Sequence, residues 1–204
     1  GKEQGIDDNG YLAGPNYDEY SATQVVTLNR DSVFTTTLEL NRGYMFGVRI
    51  RIGEEQEYRI LARPWFRING VGDYREEYVS IWKGTTSTNY LLANDIVNDE
   101  VEIKLIFDST NQKVYVFVNG EDFTERLGVD YTSTEAPRVH FYYCCERDQE
   151  AGVYKTWSVL TGVDAVKAAS VVELSYSDET VVVTENSNVV ESGAQVGANK
   201  EITV

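Results

Sequence analysis

The chain has 204 residues, 42% hydrophobic and 12% aromatic, enough apolar content to bury a sizeable core and too much for disorder over most of its length. Its 18 Lys and Arg stand against 33 Asp and Glu, and the resulting net charge of −15 would repel a phosphate backbone, which excludes nucleic acid as the expected partner. The longest apolar runs, such as Val114 to Val118, are strand-sized and far below the roughly 20 residues of a membrane-spanning helix, so no membrane insertion is expected.

Residues 1–20 mix Gly, Asp, Asn, Pro and Tyr without a period and read as an extended lead-in. Thr23 to Leu28 and Ser32 to Leu40 are rich in Thr and Val, as strands are. The clearest element runs from Tyr44 to Ile52. Tyr44, Phe46, Val48, Ile50 and Ile52 fall on one face and Met45, Gly47, Arg49 and Arg51 on the other, the period of two that a half-buried strand requires. Further strands are predicted at Tyr58 to Ala62, Tyr78 to Lys83, Val101 to Phe107, Lys113 to Val118, Arg138 to Cys145 and Val153 to Leu160. Asp108 to Gln112 supplies a hairpin turn between two of them, and Asn119-Gly120 a second turn of the type I′ kind. With no amphipathic helix before Val163, the expectation is an all-β sandwich or barrel whose core holds Phe46, Val48, Ile50, Leu105, Phe107, Val116, Val118 and Trp157.

After Gly162 the character changes. Asp164 to Ala169 reads as a linker or a single helical turn, and residues 170–204 alternate again, as in Thr180 to Thr184, with turns at Asn186 to Asn188 and at Ser192-Gly193. A segment of that length builds little core alone. It either adds strands to the main sheet or begins another small β-domain, and the second reading is preferred. The expected organisation is therefore a lead-in at 1–20, a sandwich at 21–163, a linker at 164–169 and a partial or accessory β-segment at 170–204.

The stretch from Glu102 to Glu121 resembles the central hairpin of the concanavalin A-like and laminin-G-like jelly rolls: a strand ending in Asp108, a short polar turn, a strand rich in Val and Tyr, then Asn119-Gly120. Arg138 to Tyr142 and Trp157 to Leu160 are similar to the closing strands of such domains. The resemblance covers roughly residues 21–163 and implies a two-sheet antiparallel jelly roll, in a superfamily of lectins, carbohydrate-binding modules, glycoside hydrolases and adhesion domains. Residues 170–204 more loosely resemble β-repeats of bacterial surface proteins. A secreted or cell-surface bacterial location is expected on that basis, and the chain carries no Asn-x-Ser/Thr glycosylation acceptor.

One family of hydrolases in the superfamily that the chain resembles carries three carboxylates on one strand, and Glu146-Arg147-Asp148-Gln149-Glu150 has that spacing. Its intervening positions are Arg147 and Gln149, followed by Ala151-Gly152, the composition of a solvated loop, and no catalytic residue is assigned. The lone histidine, His140, has no Gly-x-Ser-x-Gly elbow to serve, and one His with adjacent Cys144 and Cys145 does not make a zinc site. Those two cysteines are expected as free thiols, because a disulfide between neighbours is strained. No cofactor is expected. Asp7 to Gly10, Asn94-Asp95 and Asn98 to Glu100 offer hard oxygens to a structural calcium, without matching an EF-hand loop.

Two features point to a ligand. Arg42, Arg49, Arg51, Arg59, Arg63, Arg67 and Arg75 cluster in an otherwise acidic chain, and guanidinium groups on one face can fork onto a carboxylate or sulfate carried by a sugar. The alternative is that they pair with Glu54, Glu55, Glu57, Glu76 and Glu77. The second feature is aromatic: 14 Tyr and 3 Trp, of which Trp82 and Tyr142 take the outward parity of their strands, Tyr142 beside His140. Sugars present flat apolar faces that aromatic rings cover. The predicted ligand contacts are thus Trp82, Tyr142, His140, Arg49, Arg51 and Arg59. The leading expectation is a non-catalytic, lectin-like module for a polysaccharide or glycan, joined to other domains of a larger surface protein. A glycoside hydrolase or lyase of the same fold and a protein-binding adhesion domain are the alternatives.

Overall fold

A computed structural model describes residues 19–40, 45–54, 56–68, 73–92, 100–144, 152–169, 171–173, 183–185, 188–190 and 195–197. The alternation of Val48, Ile50 and Ile52 against Arg49 and Arg51 becomes strand β3, Met45–Ile52, with the three aliphatic side chains fully buried. Among the described residues it belongs to a front sheet of six strands in the order β1 (Glu19–Thr27), β10 (Arg138–Cys144), β3, β4 (Gln56–Ile68), β5 (Asp73–Lys83) and β6 (Thr86–Leu91). The back sheet has five described strands in the order β11 (Gly152–Thr161), β2 (Ser32–Leu40), β7 (Glu100–Asp108), β8 (Lys113–Val118) and β9 (Glu121–Asp122). Every pairing is antiparallel, and the non-consecutive neighbours β1-β10-β3 and β11-β2-β7 carry the chain between the layers. This is the expected two-sheet antiparallel jelly-roll sandwich.

The core lies between the sheets. Val48, Ile50, Ile60, Val79, Ile81 and Phe141 from the front meet Phe34, Leu38, Leu105, Phe107, Val116 and Val118 from the back, and each such side chain contributes about 1.5 to 3 kcal/mol when fully buried. Of the predicted core, Val48, Ile50, Leu105, Phe107, Val116 and Val118 are buried, and the side chain of Phe46 lies outside the described residues. Trp157 corrects the expectation. It pairs with buried Thr36 and its ring reaches Phe141 at 6.1 Å, but it stands on the edge strand β11 and remains 45% exposed.

The turns follow the local chemistry that predicts them. Asp108 accepts from the backbone N–H of Asn111 at 2.9 Å and from its side-chain amide at 2.7 Å, closing the β7–β8 hairpin. Asn119 and Gly120 both have positive φ, 48° and 76°, as a type I′ turn demands. Helix α1, Thr124–Leu127, follows β9, and the predicted helical turn near Asp164 is helix α2, Val163–Ala169, whose Val166 packs on Val33 and Ile106 outside the back sheet. In the tail, β12 (Val171–Glu173) pairs with β15 (Gln195–Gly197), and β13 (Val183–Glu185) with β14 (Asn188–Val190). The Glu146 to Glu150 segment, Cys145 and the oxygen-rich segments at Asp7 and Asn94 lie outside the described residues.

Candidate functional site

Strand register, which no local pattern determines, assembles the predicted ligand contacts. Across the front sheet, Val25 pairs with His140, His140 with Arg49, Arg49 with Arg59, Arg59 with Trp82 and Trp82 with Ser87. These residues form one row, and because their strand neighbours Val48, Ile60, Ile81 and Phe141 fill the core, the row occupies the sheet's outer face. A second row on the same face runs from Tyr142 through Gly47, Leu61 and Ser80 to Asn89. Arg51 sits beside the first row, paired with Glu57 on one side and Arg138 on the other. All six predicted contacts therefore share one surface.

Glu57 is the centre of its charge network. Its carboxylate accepts from Arg51 Nε and Nη2, both at 3.2 Å, from Arg59 Nη2 at 3.2 Å and Nε at 3.3 Å, and lies 4.0 Å from Arg49 Nη1. Burial works to raise the Glu57 carboxyl, yet the Arg49 charge and the hydrogen bonds from Arg59 and Arg51 outweigh it and hold the group below the ordinary carboxylate range. Arg49 is lowered from the ordinary guanidinium value by burial, with Arg51 and Arg59 adding repulsion and Glu57 opposing them. Thus part of the alternative holds: these arginines do meet a nearby glutamate, but three of them share one.

Arg49 also donates through Nη2 to His140 Nδ1 at 3.3 Å. A guanidinium can only donate, so Nδ1 accepts and the neutral ring carries its proton on Nε2. Burial, then the charges of Arg49, Arg51 and Arg138, lower His140 to about 4, so at neutral pH the ring is uncharged. Among the described residues, His140 Nε2, Arg49 Nε and Trp82 Nε1 are buried with no hydrogen-bond partner.

The aromatic part of the site differs from expectation. Tyr142 takes the outward parity predicted for it but is only 2% exposed, packed with Leu61 and Trp82 in a small apolar cluster of its own. It is a foundation rather than an open platform. The Arg59 guanidinium carbon lies 4.9 Å from the Tyr142 ring centre and 5.4 Å from that of Trp82, so the half-buried Trp82 is held against a cation. The centrality of Glu57 goes beyond the sequence reading, which named it only among several neutralisers. The available signal was parity, since Glu57 and Arg59 are two apart on one strand and face the same way.

No protein-family model matches the chain, and no curated protein matches it in sequence. Among solved structures it is similar to a functionally unknown protein from Saccharomyces cerevisiae, at 8% identity and TM-score 0.49 over 70% of this chain and 76% of that one. It is also similar to a toad ovary galectin solved with thio-digalactose, at 13% identity and TM-score 0.44 over 67% and 97%, and to a pentraxin from Limulus polyphemus, at 9% identity and TM-score 0.40 over 78% and 79%. No ligand or activity is carried over from likenesses of this depth. Among the described residues no helix is long and apolar enough to cross a membrane.

Proposed function

We propose that the chain is a non-catalytic glycan-binding module of a secreted or surface-attached bacterial protein, and that the outer face of the front sheet is its binding surface. The observation that carries this reading is the cross-strand row His140, Arg49, Arg59 and Trp82, with Glu57 beside it on the same face. The row sets charged hydrogen-bonding groups beside an indole, the pairing of polar rim and flat apolar face that a sugar ring requires. Glu57 is unsuited to general-acid work: its arginine partners hold it below the ordinary carboxylate range, so it has no proton to give a leaving group at neutral pH.

The test is a glycan array probed with the whole chain, followed by titration of the glycans it retains. Trp82→Ala should weaken binding by about 1 to 3 kcal/mol while the chain stays folded. Retained glycans whose affinity is unchanged by Trp82→Ala would move the binding surface elsewhere, and an array with no retained glycan would overturn the reading.

A further inference from the structure

The most accessible described part of the outer face is its β6 margin. At the far end of the first row His140 is only 7% exposed, and in the second row Tyr142, Leu61 and Ser80 are buried. Exposure rises at Trp82, half-buried on β5, and is greatest on β6, where Ser87, Asn89 and Leu91 are all exposed, Leu91 to 61%. These three residues alternate along one strand and so share a face. That face is the outer one: Ser87 pairs with Trp82, Asn89 with Ser80 and Leu91 with Tyr78, while Tyr90 between them turns inward and packs on the core, its ring centre 6.3 Å from that of Phe123.

Each position offers a different chemistry. The buried Ser80 hydroxyl donates to Asn89 Oδ1 at 2.5 Å, and this bond assigns the orientation of the amide. With Oδ1 engaged, what Asn89 offers a ligand is Nδ2, a donor with no acceptor capacity. Leu91 adds an apolar surface two residues further along, and at the other end Trp82 and the Ser87 hydroxyl supply a flat ring and a polar group beside it. The order from Ser87 to Leu91 is therefore ring face, donor, apolar side chain, spread over about 13 to 14 Å of strand.

A plain hexose does not match that order, because its hydroxyls donate as well as accept and none ends in a methyl group. An acetamido substituent does match: its carbonyl oxygen only accepts, and its methyl is apolar. Resting on the glycan-binding reading above, we infer that the ligand carries an N-acetylhexosamine, held with its ring on Trp82 and Ser87, its acetamido carbonyl accepting from Asn89 Nδ2 and its methyl against Leu91. Asn89 and Leu91 then set specificity, because a site built to bond one group disfavours the analogue that lacks it. Ser80 is a positioning residue, which acts by fixing the Asn89 amide.

The experiment titrates the whole chain and its Asn89→Asp and Leu91→Ser variants against two matched pairs: diacetylchitobiose with cellobiose, and methyl N-acetylgalactosaminide with methyl galactoside. Within each pair an acetamido group replaces a hydroxyl on the same ring. Asn89→Asp keeps an acceptor for Ser80 while removing the donor, Leu91 lies outside the buried core, and thermal melts serve as the fold control. The wild type should prefer the acetamido member of at least one pair by roughly three- to tenfold, the worth of about one hydrogen bond, and each variant should lower that preference. Unchanged preference in either folded variant overturns the inference. So does wild-type binding of the hydroxyl members as tight as that of the acetamido members, or no binding to any of the four probes by a chain that retains other glycans on the array. In all these cases glycan binding itself still stands. Should Asn89→Asp fail to fold, the wild-type preference and its fall in Leu91→Ser carry the test. An array with no retained glycan overturns the underlying function instead.

Discussion

The hydroxyl of Tyr154, carried on the back sheet, donates to the backbone carbonyl of Gly47 in the front sheet at 2.6 Å and accepts from the backbone N–H of Tyr142 at 2.9 Å. Gly47 and Tyr142 are themselves paired across β3 and β10, so a side chain from one layer enters the hydrogen-bond ladder of the other one row along from the Arg49–His140 pair. Its ring packs on Phe141 with centres 4.5 Å apart. Tyr154→Phe keeps that ring and removes the hydroxyl from two buried backbone groups. The expected cost is about 1 to 3 kcal/mol, read as a lower denaturation midpoint at unchanged slope.

Gly47 is fixed by the same junction. A Cβ there would stand 2.0 Å from the backbone oxygen of Ile60, an approach that backbone atoms cannot relieve without moving β3 from β4. Gly47→Ala should therefore destabilise by about 1 to 3 kcal/mol or more. Because Arg49 and Glu57 lie on those two strands, it should also weaken any ligand held by the arginine row, a coupling that titration of the surviving folded fraction will reveal.

What was legible in the sequence is what local chemistry encodes. The β7–β8 hairpin could be read because Asp108 and Asn111 bond within the turn and because Asn119-Gly120 has one favoured geometry. Strand β6, Thr86–Leu91, escaped notice because it is an edge strand exposed over most of its length, with no buried face to impose alternation. Parity placed Tyr142 and Trp82 on the outer face and Trp157 toward the core, but parity does not say what covers a face. Tyr142 is buried by Leu61 and Trp82 from other strands, and Trp157 is exposed because, among the described residues, no strand lies beyond β11 in its sheet. Likewise, a glutamate touching three arginines is a consequence of register across β3 and β4, which a linear reading does not contain.

The Asn119 turn offers a test confined to local structure. Its side-chain oxygen accepts from the backbone N–H of Glu102 at 2.8 Å while its own φ is positive, so the residue supplies both a bond and a tolerated conformation. Asn119→Ala loses both, and a fall in stability of about 1 kcal/mol is expected by chemical denaturation. Asn119→Gly keeps the conformation and should cost less.

Acid sensitivity should trace largely to His140. Its ring is held to about 4 by burial and by Arg49, Arg51 and Arg138, against an ordinary value of 6.5 in the unfolded chain. Between those two values the unfolded state binds the extra proton, so this residue's contribution is complete above about pH 6.5 and declines as the pH falls toward 4, below which both states are protonated and the loss levels off. The full loss is on the order of 2 to 4 kcal/mol. Glu57 acts in the same direction at lower pH: held below the ordinary 4.5, it contributes stability above that value and loses it as the pH drops further. His140→Gln separates the two, because its amide oxygen can still accept from Arg49 while the titrating ring is gone. Its stability should be nearly flat between pH 6.5 and 5, where the wild type's already falls. Parallel pH profiles for the two proteins over that range would mean that His140 does not carry the acid response.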